Sequence, residues 1–424
     1  MNQKVELKRE LGLFEVTLSG VGIIVGAGIY ALIGKAAGLA GNSVWLSFAI
    51  SALIAVFTGL SYAELSSMFP KAGAEYVYAL NAFGKRAAFV AGWLIIFSGV
   101  IAASTVALGF AGYFDVLFDF PPVLSAIILI AVLSFIIFYG IKESAWIAIL
   151  FTFIEIGGLI MIIFIGLPYL GKVDYFEMPH GLTGVFEASA LVFFAYKGFE
   201  GIVKLSEETK SPEKTIPLGL LLAILISIIL YISVAISVVS VMGWEKLGES
   251  EAPLADIAFI ALGSDAFIIL SVIALFATAN TVLIMLLVAS RITYGMASSY
   301  SLPGILARIH PSRRTPWIAV FTLMILSMLF ALAGDIAFLA KIANFTIFLI
   351  FIVVNAALIL LRYKKPEMTR HFKVPLTIGR LPLLPLAGIA FCIFMLSQLE
   401  LPILALGTLL TAFGWVLSFV ALKK

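Results

Sequence analysis

The segment at residues 191–217, LVFFAYKGFEGIVKLSEETKSPEKTIP, decides the fold of this chain. It begins as an apolar helix of membrane type and then places Lys197, Gly198 and Glu200 within four residues. A charged side chain in hydrocarbon is costly unless it faces a cavity or another charge. Glycine favours irregular backbone, which survives at that depth only where protein or a cavity covers it. We therefore expect a broken helix and a functional site near Lys197.

The composition is that of an integral membrane protein. Of its 424 residues, 62% are hydrophobic and 12% are charged, and the mean hydropathy is +1.15. A soluble domain carries roughly 25% charged residues. Cys392 is the single cysteine, so an internal disulfide and a metal site built from cysteines are excluded. No cleavable signal peptide is expected, because the charged N-terminus is not followed by a short apolar core with a cleavage site.

Apolar runs of about 20 residues, separated by charges or by Pro and Gly, mark candidate membrane spans. Their pattern predicts an all-α membrane protein with a single domain that covers residues 1–424. Twelve runs are found, at residues 11–33, 43–68, 87–114, 122–141, 145–168, 185–205, 216–242, 265–290 with an extension to 297, 316–334, 336–361, 383–399 and 402–422.

The distribution of basic residues predicts the orientation. If the N-terminus is cytoplasmic, 22 of the 27 lysines and arginines fall on the inner side. Cytoplasmic loops are enriched in lysine and arginine, so both termini are expected in the cytoplasm. The acidic segment at residues 243–265 then lies outside, where we expect one short helix.

The first span, with GVGIIVGAGIYALIG at residues 20–34, is unusually rich in glycine. Gly22 and Gly26 fit the GxxxG spacing of close helix packing, which needs no break. The denser Gly26-Ala27-Gly28 cluster favours an unwound turn. An unwound turn presents free N–H groups that suit a carboxylate and free C=O groups that suit an ammonium or a metal cation. An amino acid carries both charges.

The two broken spans hold equivalent positions. Each is the first span of a predicted five-span repeat, at residues 11–168 and 185–361, and they enter the membrane from opposite sides, as an inverted repeat requires. Two additional helices follow at residues 383–422.

Several motifs resemble the amino acid–polyamine–organocation (APC) superfamily in its prokaryotic branch. They are GVGIIVGAGIY, FFAYKGFE followed by EETKSPEKTIP, ASRITYGMA, and RYKKPEMTRHFKVP followed by LPLLPLAG. The resemblance implies a LeuT-like fold of five plus five inverted spans with two added helices. It also implies alternating-access transport of amino acids or related amines across the cytoplasmic membrane.

The resemblance also implies a substrate site. The substrate carboxylate would bind backbone N–H groups of the first break, and the α-ammonium would bind carbonyls of both breaks. The third span would add apolar walls. The implied substrate-binding residues are Ile23, Val25, Gly26, Ala27, Gly28, Ile96, Val100, Phe194, Ala195, Tyr196, Lys197 and Gly198.

Three ionisable residues are candidates for coupling or gating. Glu200 occupies the acidic position of the family's G-F-[DE] motif. Lys197 and Glu155 depart from the pattern, because relatives have an apolar residue at the position of Lys197 and many have a lysine at the position of Glu155. Lys197 is expected to pair with Glu155, with Glu200 at i,i+3, or with an anionic substrate group. Glu155 either bonds a backbone carbonyl as a protonated acid or joins Thr278 and Thr281 as oxygen ligands of a cation. We expect coupling to a proton rather than to sodium.

Other protein classes lack their signatures. His180, His310 and His371 all fall in loops, and no catalytic motif is visible, so we expect no enzyme, cofactor or nucleic-acid partner. A channel would need rings of charges or carbonyls. A sodium-coupled transporter and an exchanger remain open. Glu15 and Glu64, near inner span ends, are expected to be solvated or to cap helices.

Overall fold

The structure is a computed structural model that describes residues 9, 11–71, 73–298 and 301–422, with backbone alone at 141–149 and 420. Most of the described chain is helical. The helices are α1 (Leu13–Ile24), α2 (Ala27–Ala40), α3 (Val44–Met68), α4 (Ala74–Phe83), α5 (Lys85–Phe118), α6 (Pro122–Tyr139), α7 (Ile141–Gly166), α8 (Gly181–Tyr196), α9 (Pro212–Met242), α10 (Trp244–Glu249), α11 (Pro253–Leu262), α12 (Ser264–Ser298), α13 (Trp317–Ala331), α14 (Ile336–Lys364), α15 (Leu383–Ser397) and α16 (Leu401–Ala421).

Shorter elements join these helices. Four 3₁₀ segments occur at Gly41–Ser43, Leu167–Tyr169, Phe199–Glu208 and Gly304–Ala307. Between α14 and α15, the two-residue strands β1 (Thr377–Ile378) and β2 (Leu381–Pro382) pair antiparallel.

Within the described residues, nine helical segments are long and apolar enough to cross a membrane. The first of them, Ala27–Met68, contains both α2 and α3, and the apolar helices α1, α11, α13 and α15 are shorter. A multi-pass helical membrane protein is therefore confirmed. The count of twelve crossings and the five-plus-five repeat stay predictions. Residues 1–8, 10, 423 and 424 lie outside the described part, and the sidedness of the termini also stays a prediction.

Long helices form the core, and small side chains let some of them approach closely. The helix α5 packs against α12 and α14, and α3 packs against α8 and α9. A β-carbon on Gly99 of α5 would lie 3.0 Å from Cβ of Ala289 on α12, so these backbones approach closely. The hydroxyls of Ser47 and Ser51 donate to the carbonyls of Val185 and Ser189, at 2.9 and 2.7 Å, and bind α3 to α8.

The connections differ from the sequence prediction in two places. The segment between α9 and α12 contains two short helices, α10 and α11, instead of one. The amphipathic helix α4 was not predicted at all, because a ten-residue helix is too short for a search based on membrane-span length.

Glu64 is neither solvated nor a cap, so that expectation was wrong. Its carboxylate is fully buried and accepts from Nε of Arg362 at 2.9 Å and from the backbone N–H of Val374 at 2.8 Å. The Nε of Arg370 lies 3.2 Å away. These contacts attach the segment between α14 and α15 to the end of α3. Glu15, in contrast, does cap α1 through the N–H of Gly12.

Candidate functional site

The first break separates α1 from α2. The helix α1 ends at Ile24, Val25 and Gly26 are not helical, and α2 begins at Ala27. Gly26 has an extended backbone (φ −122°, ψ −170°) that other residues can adopt, so the reason for glycine is space. A β-carbon there would lie 2.8 Å from the hydroxyl oxygen of Thr281. That hydroxyl accepts from the Ala27 N–H at 3.0 Å, so α12 holds the start of α2.

The second break follows α8. The helix ends at Tyr196, Lys197 and Gly198 form a turn, and a 3₁₀ helix continues from Phe199. Gly198 has φ +126°, a conformation that strongly favours glycine. One carboxylate oxygen of Glu200 accepts from the Gly198 N–H at 2.9 Å. Glu200 therefore fixes the geometry of this turn.

The two breaks are in direct contact. A β-carbon on Gly28 would lie 2.6 Å from Cα of Ala195, and one on Gly198 would lie 2.5 Å from the carbonyl oxygen of Ile23. The Tyr231 hydroxyl in α9 is 2.7 Å from the Ile24 carbonyl oxygen and 2.9 Å from that of Ala195. These are the carbonyls that the two helices release where they end.

Tyr231 is the residue that sequence reasoning missed. It is fully buried and stands alone as an aromatic residue in the aliphatic run at residues 216–242. A buried tyrosine usually places its hydroxyl on a hydrogen-bond partner. A single tyrosine in such a run was therefore a usable signal.

The predicted substrate-binding residues divide into two groups. Those of the first and sixth predicted spans meet at the breaks, as described. Ile96 and Val100 instead pack in a separate apolar cluster with Phe89, Ala289, Met296 and Leu323. The part of α5 that reaches the break is Ser98, which lies between them. The Ser98 group that meets Lys197 is a backbone carbonyl, so it does not decide which side chains of α5 line the site, and the roles of Ile96 and Val100 stay predictions.

Lys197 forms neither of the internal pairs that were predicted. Its ammonium donates to the Ser98 carbonyl at 2.7 Å and lies 5.8 Å from the ring centroid of Phe194. No ion pair among the described residues joins it to Glu155 or Glu200. The reason is the break itself, because the extended backbone of Lys197 (ψ 134°) removes the helical i,i+3 geometry.

The side chain of Glu155 in α7 is fully buried. Neither of its side-chain oxygens has a hydrogen-bond partner within the described part of the chain, although the Asn280 side chain lies beside the carboxyl. Its backbone carbonyl accepts from the Tyr30 hydroxyl at 2.7 Å. The predicted bond from a protonated Glu155 to a backbone carbonyl is thus not formed here.

The two threonine hydroxyls of the predicted cation site have partners elsewhere. The Thr278 hydroxyl donates to the Ala274 carbonyl of its own helix at 2.7 Å, and the Thr281 hydroxyl is used at the first break. No hydrogen bond in the described structure links either threonine to Glu155. Where side chains are described, no group of three His, Cys, Asp or Glu residues is arranged to hold a metal ion.

A cavity of about 570 Å³ lies between α4, α5, α12 and the 3₁₀ helix that follows the second break, and we call it the vestibule. None of the predicted substrate-binding residues lines it. Ile95 in its wall precedes Ser98, whose backbone carbonyl accepts from Lys197, by three residues of α5. The vestibule is lined by Gly73, Glu75, Tyr76, Gly92, Ile95, Lys204, Leu287, Val288, Arg291, Ile292, Gly295 and Met296.

Comparison of the sequence with known proteins assigns the chain to a family. The model of the family described as "Amino acid permease" matches residues 11–421. The branched-chain amino acid permease of Bacillus subtilis is 30% identical over 99% of this chain and 94% of its own length. The methylthioribose transporter of the same organism is 31% identical, over 93% and 89% of the two chains. The vacuolar cationic amino acid transporter 4 of Arabidopsis thaliana is 30% identical, over 85% and 64%. These relatives are permeases and transporters rather than enzymes, and the chain belongs to the amino acid permease family of the APC superfamily.

Proposed function

We propose that this protein is a secondary active transporter that moves amino acids across the cytoplasmic membrane by alternating access. The observation that carries the proposal is the contact of two helix breaks, with Tyr231 bonded to the free carbonyls of both. Discontinuous helices that meet in this way form the substrate sites of many secondary transporters. The names of the relatives support an amino acid as substrate.

The substrate carboxylate is proposed to bind the start of α2 at Gly26, Ala27 and Gly28. A helix N-terminus offers N–H groups and a partial positive charge, and the Ala27 N–H would exchange its present acceptor, the Thr281 hydroxyl, for the carboxylate. The absence of β-carbons at Gly26 and Gly28 supports close approach of a ligand to the backbone. Gly28 already contacts Ala195 in this conformation, so the carboxylate requires α2 and α8 to separate slightly.

The α-ammonium is proposed to replace the Tyr231 hydroxyl at the carbonyls of Ile24 and Ala195. A hydroxyl has one hydrogen for these two acceptors, whereas an ammonium has three. The exchange keeps both carbonyls hydrogen-bonded, and the new donor carries a positive charge. Tyr231 would then keep the site closed in the absence of substrate, with Phe194 and Tyr196 as neighbouring walls.

Coupling is proposed to use a proton at Glu155. An ionised carboxylate without a partner in an apolar interior costs several kcal/mol, and a bound proton or cation removes that cost. Among the described side chains, the oxygens of Glu155 have no hydrogen-bond partner and no basic group forms an ion pair with them, which supports a site that takes up a proton or cation from solution. Sodium bound by Glu155, Thr278 and Thr281 remains the alternative.

The moving part is proposed to be the pair of broken spans, with the predicted third, fourth, eighth and ninth spans as scaffold and both termini cytoplasmic. The bond from Lys197 to Ser98 crosses the boundary between the two parts. We propose that Lys197 exchanges this carbonyl for an anionic group during the cycle, either of the substrate or of Glu200.

Counterflow into proteoliposomes tests the substrate class. Vesicles are loaded with one unlabelled amino acid at a time, and entry of the same labelled compound is followed. We expect branched-chain or cationic amino acids to support counterflow. A relative is named as a methylthioribose transporter, so methylthioribose is the control substrate. Counterflow with methylthioribose and with no amino acid would refute the proposal.

A further inference from the structure

The vestibule contains charges that the proposed transport site does not use. Lys204 follows the second break, Glu75 lies on α4, and Arg291 lies on α12. The Lys204 ammonium is 4.0 Å from a Glu75 oxygen that also accepts from the Tyr62 hydroxyl at 3.1 Å. Arg291 belongs to no ion pair among the described residues, and its buried Nε lacks a hydrogen-bond partner there. The vestibule therefore carries two positive charges and one negative charge.

The rest of the wall is apolar, with Ile95 on one side and four residues of α12 on the other, namely Leu287, Val288, Ile292 and Met296. A volume of about 570 Å³ lies in the range of ligand pockets, roughly 300–1,000 Å³. A pocket of this type selects ligands with an apolar body and a single polar group placed against its charges.

We propose that the vestibule is a second ligand site, which binds short apolar monocarboxylates. The carboxylate accepts hydrogen bonds from the Arg291 guanidinium and from the Lys204 ammonium. The paired N–H groups of a guanidinium match the two oxygens of a carboxylate. A branched chain of four to six carbons lies against Ile95 and Met296 and occupies part of the vestibule. The net charge of the wall matches a monoanion, whereas a dianion would bring an uncompensated charge next to Glu75.

The site is distinct from the helix breaks. A bound ligand lies against Ile95, one helical turn from the Ser98 carbonyl that holds Lys197, and it occupies the space next to the moving 3₁₀ helix. Binding to this site can be measured on the purified protein without transport.

Titration calorimetry of the purified full-length protein with 4-methylpentanoate tests the proposal. We expect one saturable site in the wild type and no binding of the neutral 4-methylpentanamide. Arg291→Gln and Lys204→Gln should each weaken binding by about tenfold or more, the value of one charged hydrogen bond. Arg291→Lys should restore part of the affinity, and Glu75→Gln should tighten binding because it removes the negative charge.

Two controls separate this site from others. Lys85→Gln, which changes a basic residue outside the vestibule, should leave the affinity unchanged. Gly28→Val, which alters the helix breaks, should also retain binding. The proposal would be overturned if the wild type showed no saturable binding or bound the acid and the amide equally. It would also be overturned if Gly28→Val lost binding while Arg291→Gln and Lys204→Gln retained it.

Discussion

Gly28 of α2 lies against Ala195 of α8 so closely that a β-carbon on Gly28 would be 2.6 Å from the Ala195 Cα. Real β-carbons do not approach a backbone atom to that distance, so any other residue must push the two helices apart. The helices touch at the two places where their spans are interrupted. The proposed site thus depends on a backbone contact, which makes it sensitive to very small substitutions.

Tyr231→Phe should tighten substrate binding and lower stability. The change removes the donor that occupies the Ile24 and Ala195 carbonyls, so the ammonium no longer displaces it. Net hydrogen bonds are worth about 1 kcal/mol, and we expect a roughly fivefold lower Kd and a similar loss of unfolding free energy. Calorimetry and thermal unfolding check both values. Tyr139→Phe, which removes a hydroxyl at an exposed helix end, is the control. Weaker substrate binding in Tyr231→Phe would contradict the prediction and would mean that the hydroxyl itself contacts the substrate.

Lys197→Met distinguishes the two proposed partners of the lysine. If Lys197 meets Glu200 during the cycle, the variant leaves a carboxylate without its partner, so the pH profile of uptake shifts and Glu200→Gln restores part of the activity. If it binds substrate, the pH profile is retained and acidic amino acids lose affinity relative to neutral ones. Uptake of acidic and of neutral amino acids, measured at several pH values, distinguishes the two possibilities. A variant with the rate, pH profile and substrate ranking of the wild type would show that Lys197 has neither role.

Glu155→Gln should abolish the response to protons. In the wild type, a more acidic outside should increase inward transport, because protonation of Glu155 precedes movement. Glutamine is a neutral mimic of the protonated acid, so exchange of labelled for unlabelled substrate should continue while accumulation driven by a pH gradient is lost. If sodium is the coupling ion, the variant should instead lose a sodium-dependent signal. A Glu155→Gln protein with unchanged pH-driven accumulation would exclude Glu155 as the coupling group.

Glu64→Gln should destabilise the fold without changing substrate selectivity. The carboxylate is buried between Arg362 and Arg370, and removal of one member of a buried ionic group costs about 3–5 kcal/mol. Thermal unfolding in detergent measures the effect. Glu15→Gln, at the start of α1, is the matched control, since an exposed cap contributes only about 1 kcal/mol. Equal unfolding midpoints for Glu64→Gln and the wild type would contradict the structural assignment.

The fold was predictable where composition and backbone chemistry determine it. Twelve apolar runs, the glycine cluster at residues 26–28 and the Lys197-Gly198 pair were sufficient to predict a helical membrane protein with interruptions at these two positions. In the hydrocarbon core of a membrane the backbone polar groups must be hydrogen-bonded within the protein, which favours helices. Glycine marks the positions where these helices end. Helix α4 and the second helix in the segment between α9 and α12 were missed because they follow local amphipathicity rather than the width of the membrane.

The side-chain contacts of the site were less predictable, because they depend on rotation and packing between distant segments. Lys197 and Glu200 have the spacing of a helical pair, but the break that they flank removes that pairing. Ile96 and Val100 pack in a second apolar cluster, and their predicted role at the substrate stays a prediction, because a largely apolar helix gives little periodicity to orient it. Tyr231 and Glu64 obtain their roles from residues more than 200 positions away.

The central claim is that amino acids are transported through the contact between the two breaks, and pH-driven uptake by Gly28→Val tests it most directly. Wild type, Gly28→Val and Gly157→Val are reconstituted in sodium-free liposomes, and accumulation of a labelled branched-chain amino acid is measured with an acidic exterior. Gly157 is the matched control, because a β-carbon there would have no neighbour within 4 Å. We predict accumulation by wild type and Gly157→Val, and none by folded Gly28→Val. Accumulation by Gly28→Val at the wild-type rate would contradict the account.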